Sequence, residues 1–204
     1  MKIKKYILSW LLVLISIAAF AKTGQWRTHF AYNSVQVIAN CPEEIYALAN
    51  GAIFSINKMT ENMTLYNNRS GLHGTNVCFL MYDEEREQLL IMYSDGKMDI
   101  QYNGTMHYIS DLYNKRMTSS KICNNITIQG KFAYLAMDFG ILVFDLEKHE
   151  FKETYYIGEE ASEVKVTDVM FYGDSIYAQT KSKNYSACIY DNVVDYHFWK
   201  TCST

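Results

Sequence analysis

A phrase that recurs about every 43 residues is the feature of this 204-residue chain that most restricts its fold. The segment YLAMDFGILVFDL at 134–146 can be laid without a gap over YALANGAIFSIN, which begins at Tyr46. Related segments give two more units, and the residues taken as equivalent are Tyr46, Ile91, Tyr134 and Tyr177. A period of about 20 to 50 residues is typical of solenoids and propellers, in which each unit packs on its neighbours.

Each unit has the pattern of antiparallel β-strands. A short apolar strand, a turn with Asn, Asp, Gly or Lys, and a second apolar strand form a hairpin. Another strand precedes each hairpin, and in SVQVIAN the alternation places Val35, Val37 and Ala39 on one face. A fourth strand follows the hairpin in the first three units. Four strands in about 43 residues make one β-propeller blade.

The prediction is therefore an all-β chain, a β-propeller of about four four-stranded blades. Their predicted bounds are roughly 34–70, 75–115, 120–160 and 164–200. Four blades can close a ring or form an arc of a larger propeller, and we expect a partial ring. The stretch 26–32 is a candidate outer strand of the kind that closes a ring. An open arc exposes strand backbone and an apolar blade face, so we expect the isolated chain to associate or misfold.

The first 21 residues have the three parts of a secretory signal peptide. Lysines 2, 4 and 5 precede an apolar run over 6–18, and the small-residue motif Ala19-Phe20-Ala21 follows. The run is shorter than the roughly 20 residues that a spanning helix needs. We expect cleavage after Ala21 and a propeller domain over 22–204 with no membrane span. The expected location is the periplasm, the outer-membrane surface or the extracellular space.

The charge and the cysteine content of the chain limit the kinds of partner and ligand that it is expected to bind. The formal charge of the chain is −3 and becomes −6 once the three leader lysines are removed. An acidic chain without a Lys/Arg cluster is not expected to bind nucleic acid or an anionic membrane. The five cysteines show no C-x-x-C spacing and are interpreted as small buried side chains rather than as zinc ligands or disulfide bridges: Cys41, Cys78, Cys123, Cys188 and Cys202.

No catalytic, cofactor-binding or metal-binding residue is predicted, and the chain is interpreted as non-enzymatic. Exported glycoside hydrolases need two converging carboxylates, and Asp95 and Asp138 occupy corresponding turns. Aspartates in hairpin turns are ordinary turn residues, as are the loop glutamates Glu84, Glu85 and Glu87. Histidines 29, 73, 107, 149 and 197 share no register, so spacing alone assembles neither a metal site nor a catalytic triad. Exposed tyrosines near strand ends leave glycan binding as an alternative.

Two longer segments carry a resemblance to known families. The segment 70–100 resembles two-component-regulator-type propeller repeats. It contains a Gly-Leu turn followed by an apolar strand that ends in Tyr-Asp. The segment 110–158 resembles the N-terminal propeller of the PorZ family of the Bacteroidetes type IX secretion system. The resemblance uses Ser120-Lys121-Ile122, the strand 133–135, Phe139-Gly140-Ile141 and Thr154-Tyr155. It extends over essentially the whole chain from Trp26.

This resemblance implies a role in secretion. PorZ-like proteins have two propellers and a C-terminal sorting domain, and they act at the outer-membrane surface in a complex that attaches secreted cargo to anionic lipopolysaccharide. The present chain corresponds to part of the first propeller, as a truncated product or a short relative. We expect an exported binding or scaffold module with protein partners of that complex, or a surface glycan, and with no cofactor. The alternatives are a sensor propeller of a two-component-type receptor and a carbohydrate-active enzyme.

Overall fold

The computed structural model describes residues 34–202. The predicted signal peptide and the candidate outer strand at 26–32 lie outside the described residues. Within them, the chain forms β-strands and four helical segments of three or four residues. No helix in this range is long and apolar enough to cross a membrane.

Sixteen described strands form four antiparallel sheets, each a simple up-and-down blade in chain order. Blade 1 contains β1 (Val35–Asn40), β2 (Glu44–Ala49), β3 (Ala52–Asn57) and β4 (Met63–Leu65). Blade 2 contains β5 (Val77–Asp83), β6 (Gln88–Tyr93), β7 (Met98–Tyr102) and β8 (Thr105–Ile109). Blade 3 contains β9 (Cys123–Gln129), β10 (Phe132–Met137), β11 (Gly140–Asp145) and β12 (Glu150–Tyr155). Blade 4 contains β13 (Val166–Tyr172), β14 (Ser175–Thr180), β15 (Asn184–Cys188) and β16 (Lys200–Cys202). The helical segments are α1 (Asp111–Asn114) and 3-10 turns at Asn68–Ser70, Glu159–Ala161 and Tyr196–Phe198.

The four blades are arranged as successive blades of a propeller. The first strand of each blade packs beside the first strand of the next, β1 on β5, β5 on β9 and β9 on β13. Among the described residues no comparable packing joins β13 to β1. The all-β propeller prediction is confirmed, with the blades forming an arc.

A β-bulge occurs at the same place in the first strand of every blade. The pairing with the second strand skips one residue, which is Gln36, Cys78, Asn124 or Thr167 in the four blades. Side chains alternate between the two faces of a strand, so one extra residue reverses the face of everything before it. Residues three apart, such as Val166 and Val169, therefore enter the same core.

The core is divided into layers between adjacent blades. One layer lies between blades 1 and 2 around Leu48 and Ile91, and a second lies between blades 2 and 3 around Met92 and Phe144. A third lies between blades 3 and 4 around Val143. Strands β6 and β11 are buried at all six residues, because each lies inside a blade that is covered on both faces. This layering explains why the sequence segment recurs, because the equivalent strand packs in the same way in each blade.

The observed strand pairing corrects two expectations about register. Alternation predicted that Val35 shares a face with Val37 and Ala39, but the bulge at Gln36 turns Val35 to the other face. The residue equivalent to Tyr46 in blade 2 is Leu90 and not Ile91, because both are the third residue of a second strand with the same pairing. Ile91 faces blade 1, whereas Leu90 faces blade 3.

Blade 4 has a fourth strand that the sequence pattern did not indicate. The strand β16 is only three residues long, which is too short to show an alternating pattern. It follows a loop in which the buried Trp199 donates a hydrogen bond from its indole Nε1 to the Val193 carbonyl (2.8 Å). Trp199 packs with Tyr155 of blade 3, which fixes the returning chain against the core.

Apolar side chains are exposed on the far faces of the two outermost described blades. In blade 1, Val35 and Ile38 are 46% and 63% exposed, whereas the equivalent pair in blade 2, Val77 and Leu80, is buried. In blade 4, Tyr172 is 82% exposed. This agrees with the exposed blade face expected for an arc, and association of the isolated chain remains a prediction.

Candidate functional site

One end of the blades carries a groove at each blade interface. In an up-and-down sheet, the turn between the first and second strands and the turn between the third and fourth lie at the same end. We call this end the groove face, and its turns include 41–43, 84–87, 103–104, 130–131 and 146–149. Three cavities open along it, named here groove 1/2, groove 2/3 and groove 3/4 after the blades they separate. Turns on a rigid sheet are common positions for binding residues.

Groove 1/2 is the largest of the three, with a volume of about 560 Å³. Tyrosine and glutamate side chains dominate its lining. The aromatic residues are Tyr46, Tyr66 and Tyr82, and the acidic residues are Glu43, Glu44 and Glu87. The second strand of blade 1 positions Tyr46, and the last residues of β5 position Tyr82 at the opposite wall.

Hydrogen bonds fix the floor of groove 1/2. The Tyr46 hydroxyl donates to Gln101 Oε1 of blade 2 (3.0 Å), which ties the two blades together. The Tyr66 hydroxyl donates to the Glu44 carboxylate (3.2 Å) and accepts from the buried Ser55 hydroxyl (3.3 Å). The rings of Tyr46 and Tyr66 lie 5.5 Å apart. These side chains are therefore held before any ligand arrives.

Two tyrosines of groove 1/2, Tyr46 and Tyr82, have raised pKa values. Burial raises the pKa of Tyr46, and its contacts with Tyr66 and Glu44 raise it further. Burial also raises the pKa of Tyr82, with additional effects from Cys41 and from carboxylates that include Glu87. The groove thus combines neutral aromatic rings with acidic side chains.

Groove 2/3 has a volume of about 350 Å³ and contains a polar network that spans two blades. The buried Gln88 donates through Nε2 to Asp83 Oδ2 (3.1 Å) and to the Leu146 carbonyl of blade 3 (3.0 Å). Its Oε1 lies 2.7 Å from His149 Nε2. The Arg86 guanidinium donates to Asp83 (3.2 Å). Because the Gln88 side-chain amide hydrogen-bonds to residues of both blades, it aligns the turns of blades 2 and 3.

Two histidines from different blades meet beside groove 2/3. The ring centroids of His107 and His149 are 5.9 Å apart, and Tyr102 lies 5.8 Å from His149. Burial lowers the pKa of His149, and the neighbouring His107 lowers it further. Sequence spacing gave no signal for this pair, because the two residues come together only through the packing of blade 2 on blade 3.

Groove 3/4 is smaller, about 220 Å³, and its lining combines aromatic and aliphatic residues with Lys152 and Glu153. Tyr134 occupies the position that Tyr46 has in blade 1, and its ring meets Phe171 edge-on at 4.8 Å. The Lys152 ammonium lies 4.6 Å from the centre of the Phe132 ring. The three grooves therefore occupy equivalent places but offer different chemistry.

The opposite end of the blades holds a buried carboxylate. Asp99 is fully buried and accepts hydrogen bonds from the Tyr93 hydroxyl (2.5 Å) and from the His73 backbone N–H (2.8 Å). His73 Nδ1 lies 2.9 Å from the other Asp99 oxygen, and its ring stacks on Tyr108. This arrangement joins the loop after blade 1 to the third strand of blade 2.

The carboxylates considered for glycoside hydrolysis are each paired with their own lysine. Asp95 forms an ion pair with Lys97 (2.9 Å). Asp138 forms one with Lys165 (2.7 Å) and accepts from Asn124 (3.0 Å). Burial acts to raise the pKa of Asp138, but the hydrogen bonds from Lys165 and Asn124 outweigh it and leave the pKa below its usual value. A general acid needs a raised pKa, so this environment does not suit that role.

The remaining candidate residues are distributed over the fold. No group of three or more His, Cys, Asp or Glu within residues 34–202 is arranged to hold a metal ion. His197 contacts Asp195 at 2.7 Å, and His29 lies outside the described residues. All five cysteines are free thiols, and burial raises the pKa of Cys41 to about 12 and that of Cys78 to about 11. These values are typical of structural rather than reactive thiols.

Solved structures with the same fold include proteins of the bacterial cell surface. PorZ of Porphyromonas gingivalis, described as an essential surface component of the type IX secretion system, is 28% identical with a TM-score of 0.75. The alignment covers 88% of this chain and 24% of that one. The extracellular domain of BT4673 from B. thetaiotaomicron is 12% identical with a TM-score of 0.66, covering 84% of this chain and 22% of that one. The designed protein Ika8 is 10% identical with a TM-score of 0.55, covering 76% and 46% of the two chains.

The chain spans about a quarter of the length of the PorZ structure that it matches. A search of curated proteins gave no match. The family described as the type IX secretion PorZ N-terminal β-propeller domain matches residues 45–200, which contain nearly all of the four blades. The resemblance noted from the sequence is therefore confirmed, and the chain belongs to the PorZ N-terminal β-propeller family.

Proposed function

We propose that this protein is an exported, non-catalytic binding module of type IX secretion that contacts its partners through the groove face. The observation that carries the proposal is the match of residues 45–200 to the PorZ propeller family, together with three grooves on one rigid end of that propeller. The location is the periplasm or the outer-membrane surface, which the predicted signal peptide would allow.

Recognition at this face is non-covalent. Adjacent blades are joined beneath the grooves by hydrogen bonds such as those of Tyr46 to Gln101 and Gln88 to Leu146. A surface held in this way loses little conformational entropy when a partner binds. The different lining of each groove gives the surface a specific pattern that a partner polypeptide can match.

The rival functions have weaker support. The BT4673 structures, described as one-component and hybrid two-component systems, share 12% and 13% identity with this chain, so the likeness supports the fold alone. A carbohydrate-active enzyme would need two free converging carboxylates, whereas Asp95 and Asp138 are each bound to a lysine. A surface glycan remains a second class of partner for a non-catalytic module.

The test is in a type IX-secreting bacterium that carries the gene. The full chain, tagged at its C-terminus, is fractionated and cross-linked on intact cells, and the cross-linked peptides are identified by mass spectrometry. We expect the protein in the envelope or outer-membrane fraction, with cross-links from the groove face to type IX components. Recovery in the cytosol, or cross-links to envelope proteins unrelated to secretion, would contradict the proposal.

A further inference from the structure

Groove 1/2 places three aromatic rings and three carboxylates around one cavity. The volume of about 560 Å³ exceeds what a single long side chain occupies, and the cavity is open to solvent at the groove face. Tyr46 and Tyr66 form one wall and Tyr82 lines the cavity from the neighbouring blade. Glu43 and Glu87 are exposed and border the groove from blade 1 and blade 2 respectively.

Within residues 34–202, the carboxylates of groove 1/2 have no cation paired with them. The described residues that line the cavity include no lysine or arginine. None of the ion pairs formed within residues 34–202 involves Glu43, Glu44 or Glu87. The Lys58 ammonium donates to the Cys41 carbonyl at the edge of the groove, and Arg86, which precedes Glu87 in the chain, pairs with carboxylates of groove 2/3.

Groove 2/3 shows the contrasting arrangement in the same molecule. There the acidic residues surround an internal guanidinium, which lies 3.2 Å from Asp83, 3.3 Å from Glu85 and 3.8 Å from Glu147. Arg86 thus supplies the positive charge that pairs with the carboxylates at groove 2/3. The position of groove 1/2 in the fold is equivalent, and its carboxylates are as numerous. The corresponding cation is missing among the lining residues that the structure describes.

The chemical group that fits groove 1/2 is a cation at the end of a long side chain. An ammonium or guanidinium group is attracted to the faces of tyrosine rings and to carboxylates at the same time. The apolar stem of lysine or arginine can pack on the rings. An anionic glycan would be repelled by the three glutamates.

We propose that groove 1/2 binds a lysine or arginine side chain presented by a partner polypeptide. This inference rests on the proposed function, because it names the chemistry of the partner that the groove face would recognise. Tyr46, Tyr66 and Tyr82 supply the aromatic walls, and Glu43, Glu44 and Glu87 supply the charge.

The test is a titration of the purified full chain, produced in a secreting host, with small probes. The cationic probes are N-acetyl-lysine amide and N-acetyl-arginine amide, the neutral probe is N-acetyl-norleucine amide, and galactose serves as the sugar. Binding is followed by calorimetry and by saturation-transfer NMR. We expect saturable binding of the cationic probes, weaker at high salt because exposed charges are screened, and much weaker binding of the others.

Two double variants distinguish the effect of the groove carboxylates on binding from the effect of the net charge of the protein. The double variant Glu43→Gln/Glu87→Gln should weaken binding by at least about fivefold, since it removes two exposed carboxylates at short range. The control Glu159→Gln/Glu160→Gln removes the same charge at the opposite end of the blades and should bind like the wild type. Tyr82→Phe should keep binding because the ring remains, whereas Tyr82→Leu should weaken it. Circular dichroism confirms that each variant is folded.

The outcomes distinguish this inference from the function on which it rests. Equal affinity of the wild type and Glu43→Gln/Glu87→Gln, no saturable binding of the cationic probes, or tighter binding of galactose would each overturn it. Envelope cross-links that persist unchanged in that variant would also overturn it and leave the proposed function intact. Probe binding without type IX cross-links would support the groove chemistry and contradict the proposed function.

Discussion

Asp99 illustrates how single polar residues stabilise the contact between blades 1 and 2. The carboxylate is fully buried and receives three hydrogen-bond contacts, two from His73 and one from Tyr93. A polar group can be buried at low cost only when hydrogen-bond partners surround it. Its role in the described structure is to fix the loop after blade 1.

Substitution Asp99→Ala should lower the free energy of unfolding by about 3 kcal/mol, because the donors of His73 and Tyr93 lose their buried acceptor. Urea denaturation followed by intrinsic fluorescence measures this change. The matched control is Asp95→Ala, which removes a partly exposed ion pair with Lys97 and should cost less than about 1 kcal/mol. Similar losses for both variants would show that the Asp99 contacts contribute little.

His149 should make stability depend on pH. Burial and His107 lower its pKa in the folded protein, so below its ordinary pKa of about 6.5 the unfolded chain binds more protons than the folded one. The resulting contribution is fully present above that pH and is lost progressively as the pH falls from there through the lowered pKa of the folded protein. When the pH is lowered from about 7.5 to about 5, the unfolding midpoint should fall more for the wild type than for His149→Gln. Parallel pH profiles would contradict the prediction.

At the scale of the strand, the bulge in β1, β5, β9 and β13 is the shared device of the four blades. It places residues three apart in one core layer, as with Val166 and Val169 in β13. A pattern read as strict alternation therefore assigns the first residue of each strand to the wrong face, which is what happened at Val35. The i, i+3 apolar spacing at the start of a blade is the signal that would have revealed it.

Deleting Thr167, the bulged residue of β13, should be far more damaging than replacing it. Deletion rotates Val166, which is fully buried, out of the core between blades 3 and 4. We expect a loss of about 2–3 kcal/mol or more from the exposed valine and the cavity. Thr167→Ala keeps the register and loses one hydrogen bond to the Gln179 carbonyl, so it should cost about 1 kcal/mol. Thermal denaturation compares the two, and equal midpoints would argue against a structural role for the bulge.

At the scale of the whole molecule, each blade is stabilised by the neighbours that cover its faces. Repeat architectures of this kind are held by contacts between adjacent units. Blades 2 and 3 have a described blade on both sides, and their strands β6 and β11 are buried at every residue. The edge strands β4 and β16 are short and mostly exposed.

Amide hydrogen exchange should follow this arrangement. We expect the slowest exchange in β6, β10 and β11, because opening them requires separation of two core layers. The fastest exchange among strands should occur in β4 and β16. Mass spectrometry of pepsin fragments resolves these segments, and uniform protection across blades 2, 3 and 4 would contradict the nearest-neighbour picture.

The sequence by itself determined the fold class, the number of blades and the family. The fold class and the number of blades follow from a period of about 43 residues and from strand patterns that depend only on which local residues are apolar. The family follows from the resemblance of particular segments, such as 110–158, to the PorZ propeller. The phrase shared by Tyr46 and Tyr134 was enough to identify equivalent second strands in blades 1 and 3. Blade 2 was misaligned by one residue, since Leu90 and Ile91 are both apolar and both buried.

Only the tertiary structure decided what the grooves contain. His149 meets Gln88 and His107, and Tyr46 meets Gln101, across blade interfaces between residues 42 to 61 positions apart in the chain. No periodic pattern records such pairs, because they depend on how the faces of two twisted sheets pack together. The lack of an ion pair at the carboxylates of groove 1/2, within residues 34–202, likewise depends on where the tertiary structure places the described cations. The repeat that forms the groove can be recognised in the sequence.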